Sequence, residues 1–191
     1  MKTIYYTAAT LDGYIATEDD SLDWLFALGD PTGSSYPDFI AGVGALAMGS
    51  ATYEWLRRHE AEVVAQAGSP WPYTRPAWVF TRRALPAVAG ADIRFARGDV
   101  RPVHAELRAA AGGKDIWLVG GGGLAGQFLE AGLLDRMIVQ LAPVTLGGGK
   151  PLLPRRVLPP RLKFVDARPM GAGMVELTYD FARVESTGKE K

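Results

Sequence analysis

Four consecutive glycines, at positions 120–123, are the residues whose type and spacing point most directly to a chemistry. They follow an apolar run at 116–119, which we predict to be a strand, and they precede residues 124–131, which we predict to be a helix. Backbone N–H groups and the helix dipole at such a turn favour a bound phosphate group. The segment therefore predicts a site for a nucleotide phosphate.

The same segment satisfies the dinucleotide fingerprint G-x-G-x-x-G from Gly121 to Gly126. The complete fingerprint also needs an acidic residue about 20 positions later, at the end of the next strand. The strand predicted at 137–141 ends in Ala142 and Pro143 without a carboxylate, and the unit lies late in the chain. These departures argue against a Rossmann domain. A second alternative is that the glycines serve only close packing of the helix on the sheet.

A second glycine run, at 147–149 and followed by Lys150, suggests a P-loop for nucleotide hydrolysis. Val144 stands where that motif needs its first glycine, and Pro151 replaces the Ser or Thr that binds magnesium. We therefore expect this segment to line a pocket or to form a dimer contact.

Composition excludes several kinds of site. The chain has no cysteine and two histidines, which excludes disulfides, cysteine nucleophiles and thiolate zinc sites and disfavours a histidine metal site. Lys plus Arg and Asp plus Glu are 21 each, so no overall positive charge attracts nucleic acid or anionic lipid. Asp12 comes too early for a signal-peptide core, and the longest uncharged run, at 39–53, is shorter than the roughly 18 residues of a membrane span. We expect a cytoplasmic protein without a nucleic-acid or membrane partner.

The elements that must position these segments alternate between strands and helices. Predicted strands occupy residues 3–9, 45–48, 77–81, 93–96, 116–119 and 137–141, and predicted helices occupy 38–43, 103–111 and 124–131, with a further helix starting at Ser50 as N-cap. This alternation predicts an α/β fold with a mainly parallel central sheet and helices on both faces. Residues 163–168 and 174–181 are predicted to add a C-terminal antiparallel hairpin.

No linker or repeat divides the chain, so residues 1–185 form one predicted domain, and the polar tail at 186–191 is predicted to be disordered. The stretch at 13–38 is rich in Gly, Pro and acidic residues. It predicts a long mobile loop of the kind that forms lids or binds ligands.

Residues 119–128, with a Val-Gly-Gly run before a Gln-Phe pair, resemble the segment of dihydrofolate reductases in which two glycines are joined by a cis peptide bond. The resemblance implies that the bond between Gly120 and Gly121 is cis. It also implies that this turn contacts a nicotinamide cofactor, through Gly120, Gly121, Gly122, Gly123, Leu124 and Gln127.

Two further segments resemble the cofactor site of the same family. Residues 45–54 resemble the strand–helix unit whose helix N-terminus binds a cofactor phosphate, and residues 79–83 resemble the strand end that holds the adenosine 2′-phosphate. The residues implicated are Gly49, Ser50, Thr52, Thr81, Arg82 and Arg83. Ser50 replaces the family's arginine, so the choice of NADPH over NADH rests on Arg82 and Arg83.

Residues 11–16, Leu-Asp-Gly-Tyr-Ile-Ala, resemble the start of the active-site loop in one branch of this superfamily. That branch includes the C-terminal reductase domain of the riboflavin-biosynthesis deaminase-reductase (RibD), and residues 131–136 and 142–149 resemble it too. The resemblance implies cofactor contacts at Ala9 and Ile15 and substrate contacts at Asp12, Trp24 and Val119. Asp38 is the only acid near the position of the family's catalytic carboxylate, although a helix N-cap is an alternative role for it.

The resemblance implies an NADPH-dependent reductase that transfers a hydride to a pterin-like or aminopyrimidine heterocycle, such as 5-amino-6-(5-phosphoribosylamino)uracil, and that forms a homodimer. The alternative is a non-catalytic protein of the same fold that binds a nucleotide or another small molecule, because Ser50 removes one charge and the role of Asp38 is open. The zinc deaminase half of the riboflavin enzyme is excluded in a chain without cysteine.

Overall fold

A computed structural model describes residues 1–29 and 32–182 of the chain. The described residues form ten strands: β1 (Thr3–Thr10), β2 (Tyr14–Ala16), β3 (Val43–Gly49), β4 (Ala77–Phe80), β5 (Ile93–Ala96), β6 (Asp115–Gly120), β7 (Arg136–Ala142), β8 (Lys150–Pro151), β9 (Leu162–Pro169) and β10 (Val175–Phe181). They also form six helices and a 3₁₀ turn at Gly171–Gly173: α1 (Asp23–Phe26), α2 (Tyr36–Gly42), α3 (Ser50–Arg58), α4 (Glu60–Ala67), α5 (Val100–Ala111) and α6 (Gly122–Glu130). The tail predicted to be disordered, 186–191, lies outside the described residues.

Eight of the strands form one sheet in the order β5-β4-β3-β6-β1-β7-β10-β9. Neighbouring strands from β5 to β7 are parallel, and β10 runs antiparallel to both β7 and β9. In the central register, Met48 of β3 pairs with Gly120 of β6. The prediction of a mainly parallel sheet closed by a C-terminal antiparallel hairpin is confirmed.

The two faces of the sheet bury separate clusters because side chains alternate along each strand. Tyr5 belongs to the cluster under α5 and α6, together with Leu107 and Phe128. Tyr6 belongs to the cluster under α3 and α4, together with Tyr53. Burying a large apolar side chain stabilises a fold by roughly 1.5–3 kcal/mol, so helices on both faces are needed to cover this sheet.

The structure differs from the prediction in the loop before α2 and at the starts of several helices. The stretch at 13–38 is not one continuous loop, since β2 pairs antiparallel with β8 and α1 follows it. Helix α6 begins at Gly122 rather than at 124, with Gly121 as its N-cap. Helix α3 begins at Ser50 with Gly49 as its N-cap, and the Ser50 hydroxyl oxygen accepts a hydrogen bond from Arg83 instead of capping the helix.

Helix α4 is absent from the prediction because its apolar periodicity is weak. Val63 is its one buried residue among the side chains that the structure describes. None of the helices within 1–29 and 32–182 is long and apolar enough to cross a membrane.

Candidate active site

Strands β3 and β6 lie side by side, but the chain leaves them in opposite directions. After β3 the chain enters α3, on one face of the sheet, and continues to β4. After β6 it enters α6, on the other face, and continues to β7 on the far side of β1. Such a change of direction opens a crevice at the carboxyl ends of the strands, where open α/β sheets bind ligands.

Both helices at this crevice begin without a capping side chain. Gly49 is the N-cap of α3 and Gly121 is the N-cap of α6. In α6 the N–H of Leu124 bonds to the Gly121 carbonyl, whereas the N–H groups of Gly122 and Gly123 have no acceptor among the described residues. Free N–H groups and the positive end of the helix dipole attract an anion. Two such helix starts on neighbouring strands suit a ligand with a diphosphate.

A cavity of about 600 Å³ opens at the crevice, within the usual size of small-molecule sites. One part of its lining, which we call the glycine wall, consists of Ala51, Thr52, Gly120, Gly121, Gly122 and Gly123. A second part, which we call the apolar lining, consists of Leu22, Trp55, Leu56, Tyr73, Pro151 and Pro154. The remaining lining residues are Thr7, Ile15, Ala16, Asp20, Val119 and Lys150.

The predicted cis bond between Gly120 and Gly121 is present at the end of β6. Gly120 packs closely on α3, because a Cβ at this position would lie 2.9 Å from Oγ1 of Thr52. A Cβ on Gly49 would lie 3.7 Å from the backbone nitrogen of Gly121. Gly49, Thr52 and the first two glycines of the run therefore lie together at one place in the crevice.

The last two glycines of the run differ in what a side chain would meet. A Cβ on Gly122 would lie 2.4 Å from the carbonyl oxygens of both Pro151 and Leu152, so packing alone requires a glycine there. A Cβ on Gly123 would meet nothing within 4 Å, so packing does not explain this glycine. The bare backbone at Gly123 leaves room for a ligand to approach closely.

Of the two arginines that follow β4, Arg83 lies beside the start of α3. The Thr81 hydroxyl oxygen accepts a hydrogen bond from the Arg83 N–H at 3.0 Å. The Arg83 guanidinium donates to the Ser50 hydroxyl oxygen at 3.3 Å and forms an ion pair with Glu54. Arg82 is exposed and has no ion pair within the part of the chain that the structure describes. The Arg83 guanidinium thus lies next to a helix N-terminus that opens on the cavity, and Arg82 precedes it in the chain.

Residues 71–176 match the model of the RibD C-terminal domain family. This chain belongs to that family. The matched range contains the whole glycine run, and the resemblance to the RibD C-terminal domain is confirmed.

The chain is also similar to three individual proteins. The Bacillus subtilis protein YwjB is 30% identical over 179 residues, which is 93% of this chain and 97% of YwjB. A solved structure from Shewanella sp. PV-4, named for riboflavin biosynthesis, is 27% identical with a TM-score of 0.75 and covers 96% of this chain and 100% of its own. Dihydrofolate reductase from Enterococcus faecalis, solved with NADP(H), is 15% identical with a TM-score of 0.58 over 94% of this chain and 96% of its own, a likeness of fold.

In this member of the RibD C-terminal domain family, two charged residues line the cavity. Asp20 and Lys150 belong to the lining, and the Asp20 carboxylate lies 3.9 Å from the Lys150 ammonium. The same carboxylate lies 3.9 Å from the Arg58 guanidinium at the end of α3. Asp20 therefore connects the loop after β2 to both α3 and β8. Ion pairs as exposed as these contribute at most about 1 kcal/mol each to stability.

Several predicted site residues lie outside the cavity lining. Asp38 is exposed in the first turn of α2. The Asp12 carboxylate accepts hydrogen bonds from the N–H groups of Leu146 at 3.0 Å and Gly147 at 2.7 Å, so it anchors the segment after β7. Trp24 packs against a separate small apolar cluster. Catalytic and substrate-binding roles for these residues stay predictions.

The remaining predicted residues lie in the cavity lining, in the core or on the surface. Ile15 and Val119 line the cavity. Ala9 and Leu124 are buried in the cluster under α5 and α6, which places their side chains in the core. Gln127 is exposed on α6, beyond its first turn.

The apolar lining is absent from the sequence prediction, because its residues come from separate segments without a motif. A helical spacing could have found two of them. Trp55 and Leu56 follow Thr52 by three and four positions, which puts all three on one face of α3. Tyr73 and Pro154 carry no comparable signal, since each lies in irregular chain outside the predicted elements.

A buried carboxylate that the sequence prediction also omits lies on β10. Glu176 is 3% exposed and accepts hydrogen bonds from the Tyr6 hydroxyl at 2.6 Å, Gln140 Nε2 at 3.0 Å and the Ser35 N–H at 3.3 Å. Burial raises the pKa of Glu176, but these hydrogen bonds outweigh it and hold the pKa below its ordinary value. Burial, with the hydrogen bond to Glu176, raises the pKa of Tyr6 to about 12. The network ties the segment before α2 to β1, β7 and β10.

Proposed function

We propose that this protein is an NADPH-dependent reductase that transfers a hydride to a pterin-like or aminopyrimidine heterocycle. One observation carries the proposal: α3 and α6 begin without side-chain caps on neighbouring strands and open on the same cavity. Membership of the RibD C-terminal domain family supports it, as does the shared fold of a dihydrofolate reductase that was solved with NADP(H).

The residues present fit a dinucleotide cofactor. The free N–H groups of Gly122 and Gly123, with the start of α3, would hold its diphosphate. Arg82 and Arg83 would hold the 2′-phosphate that distinguishes NADPH from NADH. When bound, NADPH supplies the hydride, and the protein supplies position and surroundings.

The chain itself would position the substrate and exclude water. The apolar lining offers a dry surface beside the glycine wall, which favours close contact between two ring systems. Among the described residues, Asp20 is the one carboxylate of the lining, and it is held between Arg58 and Lys150. The predicted proton donor, Asp38, lies outside the lining and stays part of the proposal only if its substitution abolishes turnover.

We test the cofactor by isothermal titration with NADP⁺ and NAD⁺. NADP⁺ is expected to bind at least about tenfold more tightly, and Arg82→Ala with Arg83→Ala should remove that preference by deleting both 2′-phosphate contacts. Arg94→Ala is a matched control, because Arg94 lies on β5 and its guanidinium is held by Asp92, just before that strand. A folded sample that binds neither nucleotide would refute the proposal.

The placement of Asp38 favours a second candidate, a protein of this fold that binds a nucleotide without catalysis. NADPH oxidation measured across a panel of dihydropterins and aminopyrimidines separates the two candidates. Oxidation that depends on one substrate supports the reductase. Tight NADP⁺ binding with no oxidation on any member supports the binding protein.

We also propose that the protein acts as a homodimer, with no nucleic-acid or membrane partner. Phe164 and Val165 on the edge strand β9 are 62% and 44% exposed, which gives such a dimer an apolar surface to bury. Light scattering is expected to show a dimer that Phe164→Glu converts to a monomer. A monomer at high concentration would contradict this part of the proposal.

A further inference from the structure

The apolar lining offers a ligand flat aromatic surfaces whose orientation is fixed. Trp55 stacks on Phe26, with ring centroids 5.9 Å apart and planes at 23°, and on His59, at 4.1 Å and 17°. Tyr73 meets Trp117 edge-on at 5.5 Å and 87°. Rigid aromatic rings lining a cavity favour a planar ligand ring, since such contacts need little ordering on binding.

The two charged side chains that line the cavity pair with each other. Asp20 and Lys150 are the only charged residues among those that line it, all of which belong to the described part of the chain, and they pair at 3.9 Å. Arg58, at the end of α3 and outside the lining, forms an ion pair with the same carboxylate. A phosphate needs unpaired cations or free helix N–H groups. The free N–H groups lie at the glycine wall, so the apolar lining provides no second phosphate site.

Two polar groups of the apolar lining have no hydrogen-bond partner among the described residues. The indole N–H of Trp55 is one of them, and it is sealed from solvent. The hydroxyl of Tyr73 is the other, on a side chain that lines the cavity and is partly exposed. Burial raises the pKa of the Tyr73 phenol, so its hydroxyl keeps its proton at physiological pH. A hydroxyl in such a place is unfavourable until a ligand or water bonds to it.

We infer that the substrate is a planar, uncharged heterocycle without a phosphate group, and that the Tyr73 hydroxyl donates a hydrogen bond to a ring carbonyl oxygen or ring nitrogen of it. The inference rests on the proposed function, because it assigns the glycine wall to the cofactor. It narrows the proposed substrates to unphosphorylated rings and excludes a phosphoribosylated pyrimidine. Tyr73 is then a substrate-binding residue that fixes the ring's orientation.

Two matched ligand pairs test the substrate class. They are 7,8-dihydroneopterin with its 3′-monophosphate, and 5-amino-6-ribosylaminouracil with its 5′-phosphate. Each is titrated calorimetrically into the protein with excess NADP⁺ present. The unphosphorylated member of at least one pair is expected to bind at least about tenfold more tightly than its phosphate, because the apolar lining cannot compensate the desolvation of a dianion. Tighter binding of a phosphorylated member, or no binding of any of the four, overturns the inference.

Tyr73→Phe tests the hydrogen bond with the ring retained. The affinity for the tighter probe is expected to fall about three- to tenfold, the usual effect of one neutral hydrogen bond. The unfolding midpoint and the NADP⁺ affinity should not change, since the hydroxyl has no hydrogen-bond partner within residues 1–29 and 32–182. Tyr179→Phe is the matched control, because Tyr179 is partly exposed on β10, packs on Phe164 and lies outside the lining. Full probe affinity in Tyr73→Phe, or a loss of affinity that accompanies a lower unfolding midpoint, overturns this role.

NADP⁺ titrated alone separates this inference from the proposed function. If NADP⁺ does not bind but an unphosphorylated probe binds and depends on Tyr73, the cofactor proposal fails and the substrate inference stands. If NADP⁺ binds and the phosphorylated probes are preferred, the proposed function stands and the substrate inference fails.

Discussion

The glycine wall and the apolar lining face the same cavity, but they are built in different ways. The glycine wall comes from two strand ends and the two helix starts that follow them, and its chemistry is that of backbone N–H groups. The apolar lining is assembled from a loop, the middle of α3 and irregular chain near residues 73 and 154. Backbone sites are therefore fixed by local sequence, whereas the apolar lining depends on the order of strands in the sheet.

The largest expected effect is a loss of stability that distinguishes Gly122, which packing requires, from Gly123, which packing does not require. Gly122→Ala is expected to lower the free energy of unfolding by about 2–3 kcal/mol, because the new methyl group meets the carbonyl oxygens of Pro151 and Leu152. Urea denaturation measures the loss. Gly123→Ala is the matched control in the same helix turn and should leave stability unchanged or slightly raised, since a Cβ there meets nothing. Equal losses would contradict the distinction between the two glycines.

A pH-dependent loss of stability is expected when the hydrogen-bond network of Glu176, which ties the segment before α2 to the sheet, is disrupted. The pKa of Glu176 in the folded protein lies below its ordinary value of 4.5, so its contribution is present above that pH and is lost as the pH falls through the folded pKa. Glu176→Gln is expected to lower the free energy of unfolding by about 1–3 kcal/mol at neutral pH, with the difference from the natural protein narrowing in acid.

Urea denaturation at neutral pH and below pH 4.5 measures how the difference in stability between Glu176→Gln and the natural protein changes with pH. Asp166→Asn is a control, because that carboxylate is partly exposed beside Arg168 on β9 and contributes little. A difference between Glu176→Gln and the natural protein that stays constant with pH would show that the charge of Glu176 is not what stabilises the network.

The affinity for NADP⁺ tests whether Gly123 serves binding rather than packing. Gly123→Ala is expected to weaken NADP⁺ binding about tenfold without loss of stability, because the methyl group occupies space that the proposed diphosphate needs. Calorimetric titration gives the affinity. Gly148→Ala is the control, since that glycine also has free space around its Cα and does not line the cavity. An unchanged affinity in Gly123→Ala would place the diphosphate elsewhere.

A smaller loss of stability is expected from a change at Asp20, where the loop after β2 joins the cavity rim. Asp20→Asn removes both long ion pairs, to Arg58 and Lys150, and should lower the free energy of unfolding by less than about 1 kcal/mol, since exposed pairs are screened. The loss should shrink further at high ionic strength. Glu18→Gln, a nearby change of the same charge, serves as control. A salt-independent loss would mean that Asp20 acts through packing.

The smallest effect is expected at Asp38, where the sequence prediction and the structure differ most. Because Asp38 is exposed on α2 and does not line the cavity, Asp38→Asn should change NADP⁺ and probe affinities by less than about twofold. The catalytic role predicted from the sequence requires instead that NADPH oxidation be abolished. A spectrophotometric assay of the variant on the best substrate decides between the two.

Features that depend on neighbouring residues were predicted correctly, whereas features that depend on residues far apart in the sequence were not. The strand and helix on either side of the glycine run are local, so their types follow from adjacent residues. The cis bond between Gly120 and Gly121 followed from the resemblance of this segment to dihydrofolate reductases. The catalytic role of Asp38 was predicted from its position in the order of segments along the chain. In the structure, the segment before α2 instead turns toward Glu176. Tyr73 gave no signal, because irregular chain has no periodicity from which a direction can be predicted.

The sequence by itself determined the fold class, the parallel sheet with its closing hairpin, and the strand-to-helix turns that carry free N–H groups. These depend on hydrophobic periodicity and on glycines at helix starts, which act within a few residues. Only the tertiary structure decided which side chains share the cavity with the glycine run. Sheet order brings β3 beside β6 across a long stretch of sequence, and so Thr52, Trp55, Tyr73 and Lys150 meet the glycine run at one cavity. The glycine run thus identifies the site, and the packing around it selects the ligand.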